Sequence, residues 1–115
     1  MAAEDGVYWL SLGGVGEIGK NCYVIEINDR LLIIDCGMSF PDLRMFGVDI
    51  VIPDFGYLIK NQHRIDGLIL THGHEDHIGG VAYLLQDLKT PPPIYGSKFT
   101  LGLLRGKLQE FDLGL

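Results

Sequence analysis

Short runs of apolar residues divide the first part of the chain into strands. We predict three β-strands where apolar residues are concentrated, at residues 7–10, 22–27 and 31–35. Asn28 and Asp29 separate the last two strands and favour the tight turn of a β-hairpin. A glycine-rich loop at residues 13–19 precedes the hairpin. The first half of the chain is therefore predicted to be rich in β-structure.

The second part alternates between helix and strand. An irregular stretch at 38–53 contains Pro41, Gly47 and Pro53, and a short helix is predicted within 55–64. A buried strand at 67–71 is followed at 78–88 by apolar residues three or four apart, which predicts an amphipathic helix. A short strand at 94–96 follows, and Ser97 is placed to cap a last helix. Its apolar residues are Phe99, Leu103, Leu104 and Leu108. This order of elements predicts an α/β fold.

Composition limits the class of protein. The sequence has 115 residues, of which 47% are hydrophobic, so it encodes a folded chain of at most one domain and not a disordered one. The longest aliphatic run is Leu31-Leu32-Ile33-Ile34, far short of the ~20 residues of a membrane span. The 16 glycines indicate tight turns or close backbone contacts. We therefore expect no membrane association.

Charge and cysteine content reduce the number of functional classes that fit the sequence. The formal net charge is −6, so the chain lacks the basic surface of a pure nucleic-acid-binding protein. An acidic protein can still act on phosphate esters when metal ions supply the positive charge. Cys22 and Cys36 do not form a CxxC pair, and each borders an apolar run. We interpret them as buried, reduced thiols of a cytoplasmic protein.

Histidines and carboxylates are concentrated between residues 72 and 77. His72 and His74 lie two residues apart after a predicted strand, so in extended backbone their side chains point the same way. Asp76 and His77 lie at the turn into the next helix and can face the same point. Imidazole and carboxylate groups suit Zn²⁺, or alternatively Mn²⁺. Four ligands in one short loop favour two metal ions, one held by each pair.

Other polar residues are candidates for this site. Asp35 ends an aliphatic strand, where a carboxylate needs a partner, and the ring N–H of a metal-binding histidine would be one. The alternative is that Asp35 caps the turn that follows it. Glu17 and Asn21 are further candidates for contact with the site. His63 has only polar neighbours, and we interpret it as a surface residue.

The histidine-rich segment His72-x-His74-x-Asp76-His77 resembles the signature of the metallo-β-lactamase fold, and Asp35 matches the lone earlier aspartate of that fold. Residues 12–21, 40–54 and 95–108 resemble the ribonuclease J family, and the similarity extends from about Trp9 to the last residue. The resemblance implies the amino-terminal half of a metallo-β-lactamase αββα sandwich. It also implies a metal-dependent ribonuclease of the β-CASP type that cuts RNA from a 5′-monophosphate end and internally.

The resemblance assigns roles to individual residues. It implies that His72 and His74 bind one divalent metal ion and that Asp76 and His77 bind the other. It also implies that Asp35 supports the site through the metal ligands, without binding a metal ion itself. Asp76 would also be catalytic, by orienting the attacking water. The implied substrate is RNA, the implied location is the cytoplasm, and the full-length enzyme is expected to be a homo-oligomer.

The resemblance further implies a longer enzyme. This family uses another histidine, a bridging aspartate and a last histidine downstream, whereas no histidine follows His77 here. We therefore expect residues 1–115 to be a partial domain that lacks the β-CASP domain, is inactive by itself and leaves an apolar sheet face bare. Two alternatives stay open, namely another hydrolase of the same fold, such as a thioesterase like glyoxalase II, and a non-catalytic metal-binding module.

Overall fold

The computed structural model describes residues 7–13, 21–37, 55–71 and 78–111. In these ranges the strands are β1 (Val7–Gly13), β2 (Cys22–Ile27), β3 (Arg30–Ile34), β4 (Ile65–Ile69) and β5 (Ile94–Tyr95). The α-helices are α1 (Gly56–Lys60), α2 (Val81–Asp87) and α3 (Lys98–Glu110), and a 3-10 helix spans Gln62–Arg64. Most of the predicted glycine-rich loop and the irregular stretch at 38–53 lie outside the described residues. None of the helices in the described ranges has the length and apolar character needed to cross a membrane.

The predicted hairpin between β2 and β3 is confirmed. Both turn residues adopt left-handed backbone conformations, with φ of 48° at Asn28 and 67° at Asp29. Two consecutive left-handed residues define the type I′ turn, whose twist matches that of the flanking strands. Asn and Asp accept this conformation more readily than most residues do.

The described strands form one five-stranded sheet in the order β1-β2-β3-β4-β5. The first three strands are antiparallel, whereas β4 is parallel to both β3 and β5. β4 begins two residues earlier than predicted because Ile65 already pairs with Leu31. The mixed sheet with helices confirms the predicted α/β class. Its parallel part brings the carboxyl ends of β3, β4 and β5 to one edge.

The hydrophobic core lies on one face of the sheet. Alternate residues of β2 and β3 are buried there, together with residues of all three helices. The main helical contributors are Leu58, Val81, Ala82, Leu84, Leu104 and Leu108. The Ser97 Oγ caps α3 by accepting from the Thr100 N–H at 3.1 Å, as predicted. Of the apolar residues predicted on this helix, Phe99 and Leu103 are exposed rather than buried.

One of the two buried carboxylates in the described residues lies on β2. Glu26 on β2 is buried, and its Oε1 accepts a hydrogen bond from the Tyr57 hydroxyl at 3.3 Å. Arg64 Nη1 lies 3.5 Å from the same oxygen and 2.9 Å from Asp29 Oδ1. These contacts attach α1 and the 3-10 helix to the β2–β3 hairpin, so this cluster has a structural role.

The opposite face of the sheet is apolar and accessible. The cross-strand pairs Val7–Ile27 and Trp9–Ile25 lie on it, and the Trp9 ring packs 5.1 Å from that of Tyr23. Val7 and Trp9 are nevertheless 70% and 62% exposed. As far as the described residues extend, these side chains present apolar surface to solvent.

Candidate metal centre

The parallel pairing of β3 and β4 determines which residues meet at the carboxyl edge of the sheet. Ile34 is paired with Ile69, so the residues that follow each strand emerge side by side. The Asp35 N–H donates to the Ile69 carbonyl at 2.8 Å, and the Leu70 N–H donates to the Tyr95 carbonyl at 2.8 Å. Functional groups of parallel sheets commonly gather at this edge. Asp35 and Thr71 are brought together here although 36 residues separate them.

Asp35 binds the residue that directly precedes the histidine-rich segment. Its Oδ1 accepts from the Thr71 N–H at 2.8 Å, and its Oδ2 accepts from the Thr71 hydroxyl at 2.7 Å. Asp35 is buried, and its φ of 64° places it in the left-handed region. A non-glycine residue there carries backbone strain, which the surrounding contacts must stabilise and which is found most often at functional sites.

The other end of the segment is attached to the residue next to Asp35. The Gly80 N–H donates to the Cys36 carbonyl at 2.8 Å, and Gly80 is the residue that precedes α2. A Cβ atom at Gly80 would lie 2.5 Å from the Gly37 carbonyl oxygen. Only glycine therefore allows this approach of the two backbones.

The described residues on either side of 72–77 are thus bonded to residues 35 and 36: Thr71 to Asp35, and Gly80 to Cys36. The predicted ligands His72, His74, Asp76 and His77 lie outside the described residues, so their assignment to two metal ions stays a prediction. The same holds for Glu17. Within the described ranges, no group of three or more histidine, cysteine, aspartate or glutamate side chains is arranged to hold a metal ion.

The described surroundings fit a metal centre. Imidazole and carboxylate groups suit zinc or manganese as ligands. The buried carboxylate of Asp35 binds Thr71, the residue directly before residues 72–77, which we call the donor segment. The Asp35 carboxylate accepts both Thr71 donors, and metal-binding histidines commonly donate their second ring N–H to a carboxylate of this kind. Asp35 thus binds Thr71, which lies after β4 and not in the turn that follows Asp35, and its support of a metal ligand stays a prediction.

Three further residues are placed by the structure. Asn21 lies at the same edge, since its carbonyl accepts from the Gly37 N–H at 2.8 Å. Cys22 and Cys36 are free and fully buried, as predicted. Burial, reinforced by a hydrogen bond with Cys22, raises the pKa of the Cys36 thiol well above its ordinary value.

One predicted surface residue lies away from this edge, and two residues at the edge have unpredicted roles. His63 is exposed on the 3-10 helix, as predicted. The roles of Thr71 and Gly80 as attachment points were not predicted. A polar β-branched residue directly after an aliphatic strand was the available signal for Thr71, and a glycine pair before a helix was the signal for Gly80.

Comparisons with known proteins are consistent with this arrangement. A family model described as the metallo-beta-lactamase superfamily matches residues 15–114. Ribonuclease J of Thermus thermophilus is 51% identical over 113 residues, which cover 96% of this chain and 20% of that protein. Ribonuclease J2 of Bacillus subtilis is 50% identical over 107 residues, covering 93% of this chain and 19% of that protein. The chain therefore spans about a fifth of the length of these curated relatives.

A solved structure shares the fold. The crystal structure of human tRNase Z, short form, matches with a TM-score of 0.56 and 22% sequence identity. The match covers 95% of this chain and 41% of that one. At this identity the similarity concerns the fold alone.

Proposed function

The chain belongs to the metallo-beta-lactamase superfamily, and from this premise we propose that it carries part of the metal centre of a ribonuclease of the ribonuclease J type. Such an enzyme hydrolyses RNA phosphodiester bonds as a 5′-to-3′ exonuclease and an endonuclease. The observation that carries the proposal is about 50% identity to ribonuclease J proteins across nearly the whole chain. The hydrogen bonds of Thr71 and Gly80, which lie on either side of residues 72–77, to Asp35 and Cys36 support it.

Each proposed site residue has a defined task. His72 and His74 would hold one divalent ion, and Asp76 and His77 the other. When bound at these residues, the two ions, zinc or alternatively manganese, would supply Lewis acidity and positive charge for the phosphoryl oxygens. Asp76 is the proposed catalytic residue, because its carboxylate can orient the attacking water. Asp35 keeps the donor segment in place through Thr71.

We propose that further residues of a longer protein cover the apolar face of the sheet. In this proposal the sheet is one layer of a sandwich. A second layer would pack on the face that bears Val7, Trp9 and Ile25 and bury it. A catalytic zinc generally has three protein ligands, of which His72 and His74 supply two. We therefore expect residues 1–115 by themselves not to cleave 5′-monophosphorylated RNA.

The location and assembly of the protein are proposals as well. The two free, buried cysteines suit the reducing cytoplasm, where we place the enzyme. In the full-length enzyme we propose a homo-oligomer, as the family resemblance implies. The proposed partner is the RNA substrate, and no membrane is involved.

The test compares two histidine variants of the intact protein. We expect His74→Ala to lower cleavage of a 5′-monophosphorylated RNA more than about 100-fold and to reduce bound metal measured by elemental analysis. His63→Ala is the matched control, because His63 is exposed and should leave both measurements unchanged. Equal activity of the two variants would refute the assigned metal ligand.

The same preparations separate the alternatives. A thioesterase would hydrolyse a thioester substrate, and this activity would depend on His74 while the RNA stayed intact. A non-catalytic module would bind metal through His74 without cleaving either substrate. Reloading the metal-free protein with zinc or with manganese then identifies the ion that supports RNA cleavage.

A further inference from the structure

The two cysteines are neighbours on adjacent strands although 13 residues separate them in the sequence. Cys22 begins β2, and Cys36 lies two residues beyond the end of β3. Tyr23 is paired with Ile34, and the hydrogen bond from the Gly37 N–H to the Asn21 carbonyl continues the antiparallel contact past the end of β3. The chain at Cys22 therefore runs alongside the chain at Cys36.

The backbone conformation of Asp35 is what directs Cys36 towards Cys22. In a regular strand, successive side chains point to opposite faces of the sheet. β3 follows this rule, with Leu31 and Ile33 more deeply buried than Leu32 and Ile34. The left-handed φ of 64° at Asp35 ends the alternation, so that Asp35 and Cys36 are both buried. Cys22 is buried on the core face, where the two cysteines meet.

The two side chains lie in the same buried cluster of the core. Both cysteines are 0% exposed, and the Cys22 side chain hydrogen-bonds to the Cys36 thiol. Neither cysteine belongs to the proposed metal ligands. A disulfide requires neighbouring cysteines whose side chains point towards each other, and the pairing of β2 with β3 together with the hydrogen bond between the thiols favours this arrangement.

We propose that Cys22 and Cys36 form a redox modification site, at which a peroxide converts the buried dithiol into a reversible intrachain disulfide. One cysteine sulfur, as its thiolate, attacks a peroxide oxygen, the O–O bond breaks, and the leaving hydroxide takes up a proton to become water. The sulfenic acid formed is then attacked by the second thiol, so that the S–S bond forms and the S–O bond breaks with release of a second water. The two thiols lose two electrons and two protons, and hydrogen peroxide is reduced to two waters.

The surroundings of the thiols determine the speed of this reaction. The thiolate is the reactive form, and burial raises the pKa of the Cys36 thiol, so little thiolate exists in the closed structure. Oxidation is therefore expected to follow local opening at the start of β2 and to be slow compared with an exposed cysteine. Once the first sulfur is oxidised, the adjacent thiol favours the disulfide over further oxidation.

The disulfide would act on the edge of the sheet that carries the candidate metal centre. It would link the start of β2 covalently to the segment whose Asp35 binds Thr71 and whose Cys36 carbonyl binds Gly80. Cross-linking residues 22 and 36 also closes a short loop in the unfolded chain, which favours the folded state. We expect oxidised protein to unfold at a higher urea concentration than reduced protein.

The experiment treats the folded, intact protein with hydrogen peroxide, blocks free thiols by alkylation and digests it with trypsin without reductant. Cleavage after Lys20, Arg30 and Arg44 places the cysteines in separate peptides, residues 21–30 and 31–44. The expected product is the cross-linked pair of these peptides, lacking two hydrogens and separated by dithiothreitol. Cys22→Ala and Cys36→Ala should each abolish it. If these variants fail to fold, the urea midpoints of the oxidised and reduced wild-type protein provide the second measurement.

Two outcomes would overturn the proposal. One is a cross-linked pair that forms only when the protein is oxidised in urea and not when it is folded. The other is oxidation of either cysteine to sulfinic or sulfonic acid in the folded protein without any cross-linked peptide.

Discussion

Replacement of Gly80 by alanine tests the close contact that attaches the donor segment to Cys36. The added Cβ would lie 2.5 Å from the Gly37 carbonyl oxygen and 3.2 Å from that of Cys36. Both atoms belong to the backbone, so no side-chain rotation can relieve the clash. Gly80 has φ of −92° and ψ of −4°, a conformation that alanine adopts readily. The effect is therefore steric, and the two backbones must move apart.

The size of the effect follows from two opposing terms. Overpacking of this kind costs about 1–3 kcal/mol, whereas alanine gains about 0.4–1 kcal/mol by restricting the unfolded chain. We expect Gly80→Ala to lower the free energy of unfolding by about 1–2 kcal/mol. With a denaturant slope of about 1–3 kcal/mol/M, the urea midpoint should fall by roughly 0.3–2 M.

Gly102→Ala is the matched control in the same protein. Gly102 lies within α3, and no heavy atom would lie within 4 Å of a Cβ placed on it. This variant should raise the free energy of unfolding by about 0.5–1 kcal/mol, since alanine is the better helix former. Urea unfolding followed by circular dichroism measures both variants. If the protein is the proposed ribonuclease, Gly80→Ala should also reduce metal retention while Gly102→Ala does not.

Equal or greater stability of Gly80→Ala relative to Gly102→Ala would contradict the prediction. That result would mean that the close approach between Gly80 and the Gly37 carbonyl does not limit the fold. Loss of metal without loss of stability would mean that Gly80 positions the metal ligands without contributing to the stability of the fold.

Three further predictions concern single contacts. Thr71→Val removes the hydroxyl that donates to Asp35 Oδ2, and urea unfolding should show a loss of about 1–3 kcal/mol that Thr71→Ser does not show. Ser97→Ala removes the cap of α3 and should cost about 1 kcal/mol by the same assay, with Ser97→Asp retaining most of the stability. A hydrogen bond from Arg30 lowers the pKa of Asp66 below its ordinary 3.8, so this exposed pair stabilises the fold above that pH, and the contribution is lost as the pH falls through the lowered pKa. Asp66→Asn should therefore flatten the acid side of a stability-against-pH curve, and an unchanged curve would contradict this.

Local sequence patterns determined the identity and order of the elements. Asn28-Asp29 predicts the turn because these two residues tolerate left-handed backbone, and Ser97 predicts a helix start because its hydroxyl can accept a backbone N–H. The spacing of apolar residues after residue 77 predicts α2. Each of these rules involves residues only a few positions apart, so the sequence alone carries the information.

Some features of the helices were decided by packing. The apolar residues of α3 do not all face the core: Leu104 is buried, whereas Phe99 is 75% exposed. The position of β4 was also changed by pairing, because Ile65 meets Leu31 on the neighbouring strand. The sequence shows that a residue is apolar, but the packing of neighbouring elements decides whether the residue is buried.

The sequence by itself determined the segment that carries the candidate chemistry, from the concentration of histidines and carboxylates at 72–77. Only the tertiary structure decided how that segment is attached: Asp35 binds Thr71, and the Cys36 carbonyl binds Gly80. These partners are 36 and 44 residues apart, and no local pattern links them. They meet because β3 and β4 are parallel and end at one edge of the sheet. That pairing is a property of the whole sheet and not of any one segment.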